Sequence, residues 1–341
     1  MNRRDFLKTA AALAALRPAG VVHADEPNAR RIVTVTGDVS PDRLGATLPH
    51  EHVLVDFIGA DKASPDRYDR DEVFDVALPH LKRARQAGCE TLVECTPAYL
   101  GRDPLLLRRL SEASGVRILT NTGYYGAGAG KFLPAHARPE SADDLARRWL
   151  REWQDGIGGT GVRPGFIKIG VDAGPLNEIN QKLVRAAART HLQSGLAIAC
   201  HTGDGAAAMH ELAILREERV DPSAWIWVHA QNEKNPELHR RAAEQGGWVE
   251  FDGIRPDTID QHVGLVQTMQ REGLLGRVLV SHDAGWYSVG EPGGGSFRPW
   301  TTQFEQFLPR LRTAGFSEEQ IQRLTIANPA EAFTIRARAA G

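Results

Sequence analysis

The chain has 341 residues, of which 42% are hydrophobic, enough to bury a sizeable core in one large domain or two ordinary ones. A formal net charge of −2 offers no electrostatic basis for nucleic acid or an anionic membrane as the main partner. Cys89, Cys95 and Cys200 are odd in number and fit no zinc or redox spacing, so they read as buried free thiols.

The N-terminus reads as a processing segment. "NRRDFLKTAAALAAL" pairs Arg3 with Arg4 and continues through Phe6-Leu7-Lys8 into an Ala/Leu run too short to span a bilayer. A small-residue cleavage site follows at Val22-His23-Ala24. Residues 1–24 resemble a twin-arginine export signal, where the bland alternative is a basic amphipathic extension. The resemblance implies the twin-arginine export machinery as a partner of the precursor and a periplasmic or secreted product. That route carries folded proteins, so a cofactor can be installed before export.

The mature domain is then 25–341. Its first stretch, "RIVTVTGDVSPDRLGATLPHEH", alternates and turns at Gly37-Asp38 and Pro41-Asp42, as a β-hairpin would. Strands are expected at 48–56, 90–96, 116–122, 166–171, 196–201, 225–229, 247–252 and 277–283. Helical patterns lie between them. "DEVFDVALPHLKRARQAG" opens on acids and closes at Gly88, with Pro79 predicting a kink or break, and "NEINQKLVRAAARTHLQSG" ends at Gly195. Alternating strands and helices argue for a parallel sheet. Eight such units over about 250 residues suit a (β/α)8 TIM barrel with an N-terminal hairpin better than an open doubly wound sheet. No linker-like segment interrupts them, so one barrel domain is expected.

Catalytic groups of such barrels sit at the C-terminal ends of the strands. In "LPHEHVLVDF", His50 and His52 share a strand face, and Glu51 points the other way, towards the surrounding helices. The alternation of "FIKIG" turns Lys168 inward, where an unpaired charge is expensive. His201, His229 and Asp283 close the fifth, sixth and eighth strands. A lone strand-end histidine is more often a hydrogen-bonded structural residue, and Asp283 alone would serve as a cap. Six such groups at one rim favour a metal centre. A neutral Lys168 amine can add CO2, and the resulting carbamate (N6-carboxylysine) can bridge two divalent cations. His50, His52 and Asp283 would hold one, and His201 with His229 the other. The donor set suits zinc, with cobalt, manganese or iron as options.

These residues, with "TLVECTPAYLGRD", "TNTGYYG", "GFIKIG", "LVRAAARTHLQSGLAIACHTG", "VLVSHDAG" and "NPAEAF", make the chain resemble the phosphotriesterase family of the amidohydrolase superfamily, including its lactonase branch, from about residue 32 to 335. The resemblance implies a carboxylated Lys168 bridge and a bridging hydroxide that attacks an ester or lactone carbonyl. It makes Asp283 both a ligand and the proton acceptor, and places Tyr125 as an aromatic wall of the site. The chain departs from the family pattern at "VHAQNEKN", with Asn232 in a usually acidic stretch, and at "FDGIRPD", where Gly253 follows Asp252. A histidine–carboxylate proton relay is therefore absent, and efficient paraoxon-type hydrolysis is not expected.

"TGYYGAGAGKFLP" is no phosphate loop, because Tyr125 and Phe132 stand where that motif needs glycine and Ser or Thr. "AGWYSVGEPGGGSFRPW" (284–300) is expected to wall the pocket, with Trp286 and Arg298 against substrate, or else to form a surface or dimer-contact loop. His80, His136, His191, His210, His239 and His262 read as structural. The expectation is an exported binuclear hydrolase acting on a small ester, lactone or organophosphate. Phosphotriesterase or phosphodiesterase chemistry is the nearest rival. A mononuclear deaminase would leave Lys168 idle, and a binding protein with a retired site would have no use for the full ligand set. The oligomeric state is open, with a homodimer among the options.

Overall fold

The computed structural model describes residues 30–340; the signal segment 1–24 lies outside them. Strands β1 (Ile32–Thr34) and β2 (Gly37–Val39) form an antiparallel hairpin. Its turn falls at Val35-Thr36, so Gly37 opens the second strand instead of occupying the tip.

Eight β/α units follow. The barrel strands are β3 (Thr47–Val55), β4 (Thr91–Glu94), a third in two pieces, β5 (Arg117–Leu119) and β6 (Asn121–Thr122), then β7 (Phe166–Gly170), β8 (Ile198–His201), β9 (Trp225–Val228), β10 (Trp248–Phe251) and β11 (Val278–Val280). All pairings among them are parallel. The third strand breaks at Thr120 because its neighbours change there: β5 pairs with β4, and β6 with β7. Asn121 spans the gap with its side-chain amide, donating to the carbonyls of Glu94 and Thr96, each at 3.0 Å.

The eighth strand is shorter than its apolar run suggested. It ends at Val280, and after a loop the chain returns as β12 (Gly285–Ser288) alongside β3, closing the barrel. Between strands lie α1 (Arg70–Ala87), α2 (Pro104–Ser114), α3 (Ala142–Asp155), α4 (Glu178–Ser194), α5 (Gly205–Glu217), α6 (Pro236–Glu244) and α7 (Ile259–Arg271), with further helical segments at 303–313 and 318–333. Helix α1 runs unbroken through Pro79. The ring is exposed and forfeits one backbone hydrogen bond, while the buried stripe of Val73, Ala77, Leu81 and Ala84 holds the helix to the barrel.

Strand alternation divides the core. Val93, Cys95, Leu119, Phe166, Ala199, Ile226, Val228, Trp248 and Leu279 fill the barrel interior beneath the rim. Ile167, Ile169, Val171, Trp227, Val249 and Phe251 face the helices. The three cysteines are buried and free. No helix among the described residues is long and apolar enough to cross a membrane.

Candidate metal centre

All six expected ligands, together with Tyr125 and Trp286, line one cavity of about 110 Å³ at the C-terminal rim. The alternation on β3 turns His50 and His52 inward, with ring centroids 5.3 Å apart; His229 lies 5.0 Å from His50 and 4.6 Å from His201. Asp283 closes the cluster. Its Oδ1 is 3.2 Å from His52 Nε2 and 3.7 Å from His50 Nε2, yet accepts no hydrogen bond of proper geometry among the described residues.

The imidazoles are held from behind. His50 Nδ1 is 3.2 Å from both Glu250 Oε2 and Asp252 Oδ2, and His229 Nδ1 is 2.7 Å from Asp252 Oδ1. Both acceptors are carboxylates, so each Nδ1 carries the donated proton and each Nε2 is the nitrogen left for another partner. His52 Nδ1 pairs with Thr96 Oγ1 at 2.7 Å, and His201 is held by its other nitrogen, with Nε2 3.0 Å from the Tyr125 hydroxyl. Anchoring one ring nitrogen while freeing the other is how metal-binding histidines are oriented. His50, His52 and Asp283 form one group whose donor atoms converge closely enough for a cation; His50, His229 and Asp252 form another. In the second group Asp252 accepts from His229 Nδ1 and lies within ion-pair distance of His50 Nδ1, which marks it as the partner that holds these imidazoles from behind.

Electrostatics follow this wiring. Burial opposes a charge on His50, but Asp252 and Glu250 outweigh it and lift its pKa to about 10. Burial dominates at His52, lowering it to about 4, and takes His201 well below the usual histidine range. Burial raises Asp283, but the close approach of His52 Nε2 and the neighbouring imidazoles reverse this and hold its carboxyl below the ordinary value. Lys168, 2% exposed, makes no hydrogen bond or ion pair among the described residues. A permanently charged ammonium would be costly there.

Two of the expected ligands sit on strained backbone. His229 and Asp283 have φ of +64° and +53°, and Trp286 has +75°. Non-glycine residues pay about 1 kcal/mol or more for this region, and such positions gather at functional sites. Glu51 supplies the restraint for Asp283. It faces away from the cavity but does not reach the helices: Oε1 accepts from Ser281 Oγ (2.7 Å), His282 N (3.0 Å) and His282 Nδ1 (2.7 Å), and Oε2 from Ala284 N (2.8 Å). His282 Nε2 in turn accepts from Gln303 N at 2.7 Å.

Tyr125 lies against the end of β7, where a Cβ on Gly170 would come within 2.6 Å of its ring. Burial, reinforced by the charge of Asp283, raises its pKa and keeps the phenol protonated. Of the 284–300 loop, only Trp286 and Arg298 reach the site. Trp286 packs 5.2 Å from His52 and 5.5 Å from Phe57, and both Trp286 Nε1 (3.0 Å) and Arg298 donate to the Asp283 carbonyl. Tyr287, Phe297 and Trp300 turn instead towards α1, with Tyr287 donating to Glu72 and Phe297 stacking on His80.

A profile of the phosphotriesterase family matches residues 30–333. The chain belongs to the phosphotriesterase family. This phosphotriesterase-family hydrolase is 28% identical to an aryldialkylphosphatase of Saccharolobus solfataricus over 85% of this chain and 95% of that protein. Among solved structures, the organophosphorus hydrolase of Deinococcus radiodurans superposes with a TM-score of 0.79 at 30% identity, covering 89% of this chain and 96% of that one. A mutant of a PTE-like lactonase from the same organism gives 0.79 at 31%, covering 89% and 99%. A twin-arginine translocation pathway signal sequence matches residues 1–16.

Sequence reasoning missed Glu250, the role of Glu51, Thr96 and His282. The Glu250/Asp252 pair was legible in principle, since "WVEFD" alternates two acids onto the interior face. Nothing local marked the others.

Proposed function

We propose that this phosphotriesterase-family chain is an exported binuclear metal-dependent hydrolase of carboxylic esters and lactones. The observation that carries the reading is the convergence of His50, His52, His229 and Asp283, each imidazole anchored through Nδ1, beside a buried Lys168 that has no hydrogen-bond or ion-pair partner among the described residues. The orphaned Asp283 Oδ1 and the unpaired amine are what a pair of cations and a lysine carbamate would satisfy. His50, His52 and Asp283 would hold one cation and His201 with His229 the other, with Lys168, carboxylated by CO2 with loss of a proton, joining both. The donors suit zinc. When bound, divalent cations supply Lewis acidity, which acidifies water and polarises a carbonyl or phosphoryl oxygen.

The chain's own residues do the rest. Asp283, held ionised, accepts the proton of the attacking water. Tyr125, held protonated, donates to His201 or to an oxygen of the substrate. Trp286, Phe57 and Leu100 form an apolar wall that excludes bulk water. The mature enzyme is read as a single barrel domain, 25–341, released to the periplasm or secreted after removal of residues 1–24.

Phosphotriester hydrolysis is the second reading, favoured by the aryldialkylphosphatase relative. Gly253 weighs against it, because the residue after Asp252 has no side chain to relay a proton. A panel of lactones, aryl esters and phosphotriesters assayed on metal-quantified protein separates the two. Higher kcat/KM for lactones or esters is expected; a reversed order overturns the ester reading.

A further inference from the structure

Beside the metal cavity lies a second one of about 350 Å³, bordered by His201, His229 and Asp283 and by a polar wall from the loops after β9 and β10 and from α7. His262 of α7 stands in that wall, 1% exposed. Its Nδ1 lies 2.9 Å from the Thr258 carbonyl, which can only accept, so the proton resides on Nδ1 and Nε2 presents a lone pair. Burial lowers the pKa of His262, which keeps that lone pair free. Nε2 is buried and has no hydrogen-bond partner among the described residues. A buried acceptor left unmade is costly, and a donor from a bound molecule would remove the cost.

Gly253 opens the path to it. A Cβ there would stand 3.3 Å from His262 Nε2 and 2.9 Å from Gln231 Nε2, so the missing side chain lets both nitrogens border the cavity. Around them, Asn232 offers an amide, and Arg255 and Arg298 carry more N–H donors than their contacts with Asp257 and Asp283 consume. The apolar residues Phe57, Leu100 and Trp286 line the first cavity and not this one.

We infer that this cavity is a subsite for a hydroxylated arm of the substrate, with His262 Nε2 accepting from a substrate hydroxyl while Arg255, Arg298 and the amides donate to its oxygens. This rests on the ester and lactone reading and narrows it to polyhydroxylated lactones or esters of hydroxylated acids, as opposed to alkyl ones. A site built to hydrogen-bond a substrate hydroxyl discriminates strongly against the analogue lacking it.

The test uses two pairs of five-membered rings, one member bearing ring hydroxyls and a hydroxymethyl group, the other an alkyl group of equal size. Binding of the lactam pair is measured by calorimetry and turnover of the lactone pair by kcat/KM, in the wild type, His262→Leu, His262→Gln and Gly253→Ala. The hydroxylated lactam should bind about tenfold more tightly to the wild type. That ratio should shrink five- to tenfold in His262→Leu, recover largely in His262→Gln, whose amide oxygen accepts, and fall in Gly253→Ala. An absent wild-type preference, which would leave Nε2 to ordered water alone, overturns the inference, and so does a ratio that His262→Leu leaves unchanged. Should neither lactone be turned over, the hydrolytic reading fails, and the lactam ratios still decide the role of His262.

Discussion

Lys168 is buried in a rim of imidazoles and makes no hydrogen bond or ion pair among the described residues, and a packing role alone does not explain it. Lys168→Ala should fold, because it removes an unpaired polar group, and should drop hydrolysis to background with loss of one or both metals. Retained activity in that variant would contradict a bridging role. Asp252 acts one step further out, accepting from His229 Nδ1 and lying 3.2 Å from His50 Nδ1, imidazoles assigned to different cations. Asp252→Asn should weaken metal affinity or activity by about 10–100-fold, the range found for such outer partners. Titrating the variant with a competing chelator measures it, and wild-type retention would show that the carboxylate is dispensable.

At the scale of elements, the important join is between β3 and the loop after β11. Glu51 holds Ser281, His282 and Ala284, and so fixes Asp283 in its left-handed conformation. Glu51→Gln keeps the shape but cannot accept from all four donors; it should cost about 2–3 kcal/mol of stability and loosen metal binding together with it. Chemical denaturation with metal quantification tests this, and a variant that loses neither would remove Glu51 from the account. A second join lies at the end of α4. His191 Nδ1 donates to the Leu196 carbonyl at 2.8 Å, and Nε2 accepts from Arg338 N at 2.8 Å, so folding requires the neutral ring. Burial lowers its pKa from 6.5 to about 4. Between those values the unfolded chain binds a proton that the folded one does not, so stability is full above pH 6.5 and declines as pH falls towards 4, by up to about 3 kcal/mol. Denaturation curves at pH 7.5, 5.5 and 4.5 should show this slope in the wild type and a flatter one in His191→Gln; equal slopes would refute it.

On the scale of the whole molecule, the barrel was legible because its strands are short apolar runs punctuated by Gly-capped helices. Helix α1 ends at Gly88 and α4 at Gly195, both in the left-handed conformation that the sequence pattern predicts. The inward set His50, His52 and Lys168 was legible because strand alternation is a local rule. What escaped was non-local. The third strand breaks where it changes partners, and the eighth stops where Asp283 leaves the ladder; neither event is written in the segment itself. Glu51 looked misdirected only because its partners lie some 230 positions away. His262 read as structural for the same reason: Gly253, whose missing side chain leaves its unpaired nitrogen bordering the cavity, belongs to another element.

The molecule's route is testable apart from its chemistry. Replacing Arg3 and Arg4 by Lys should leave uncleaved precursor in the cytoplasm, and normal export of that variant would exclude the twin-arginine route. The metal pair itself is open to direct counting. Metal content per chain, measured by mass spectrometry on freshly purified active protein, should be two divalent cations per chain; one, or none, in active protein would contradict the binuclear account.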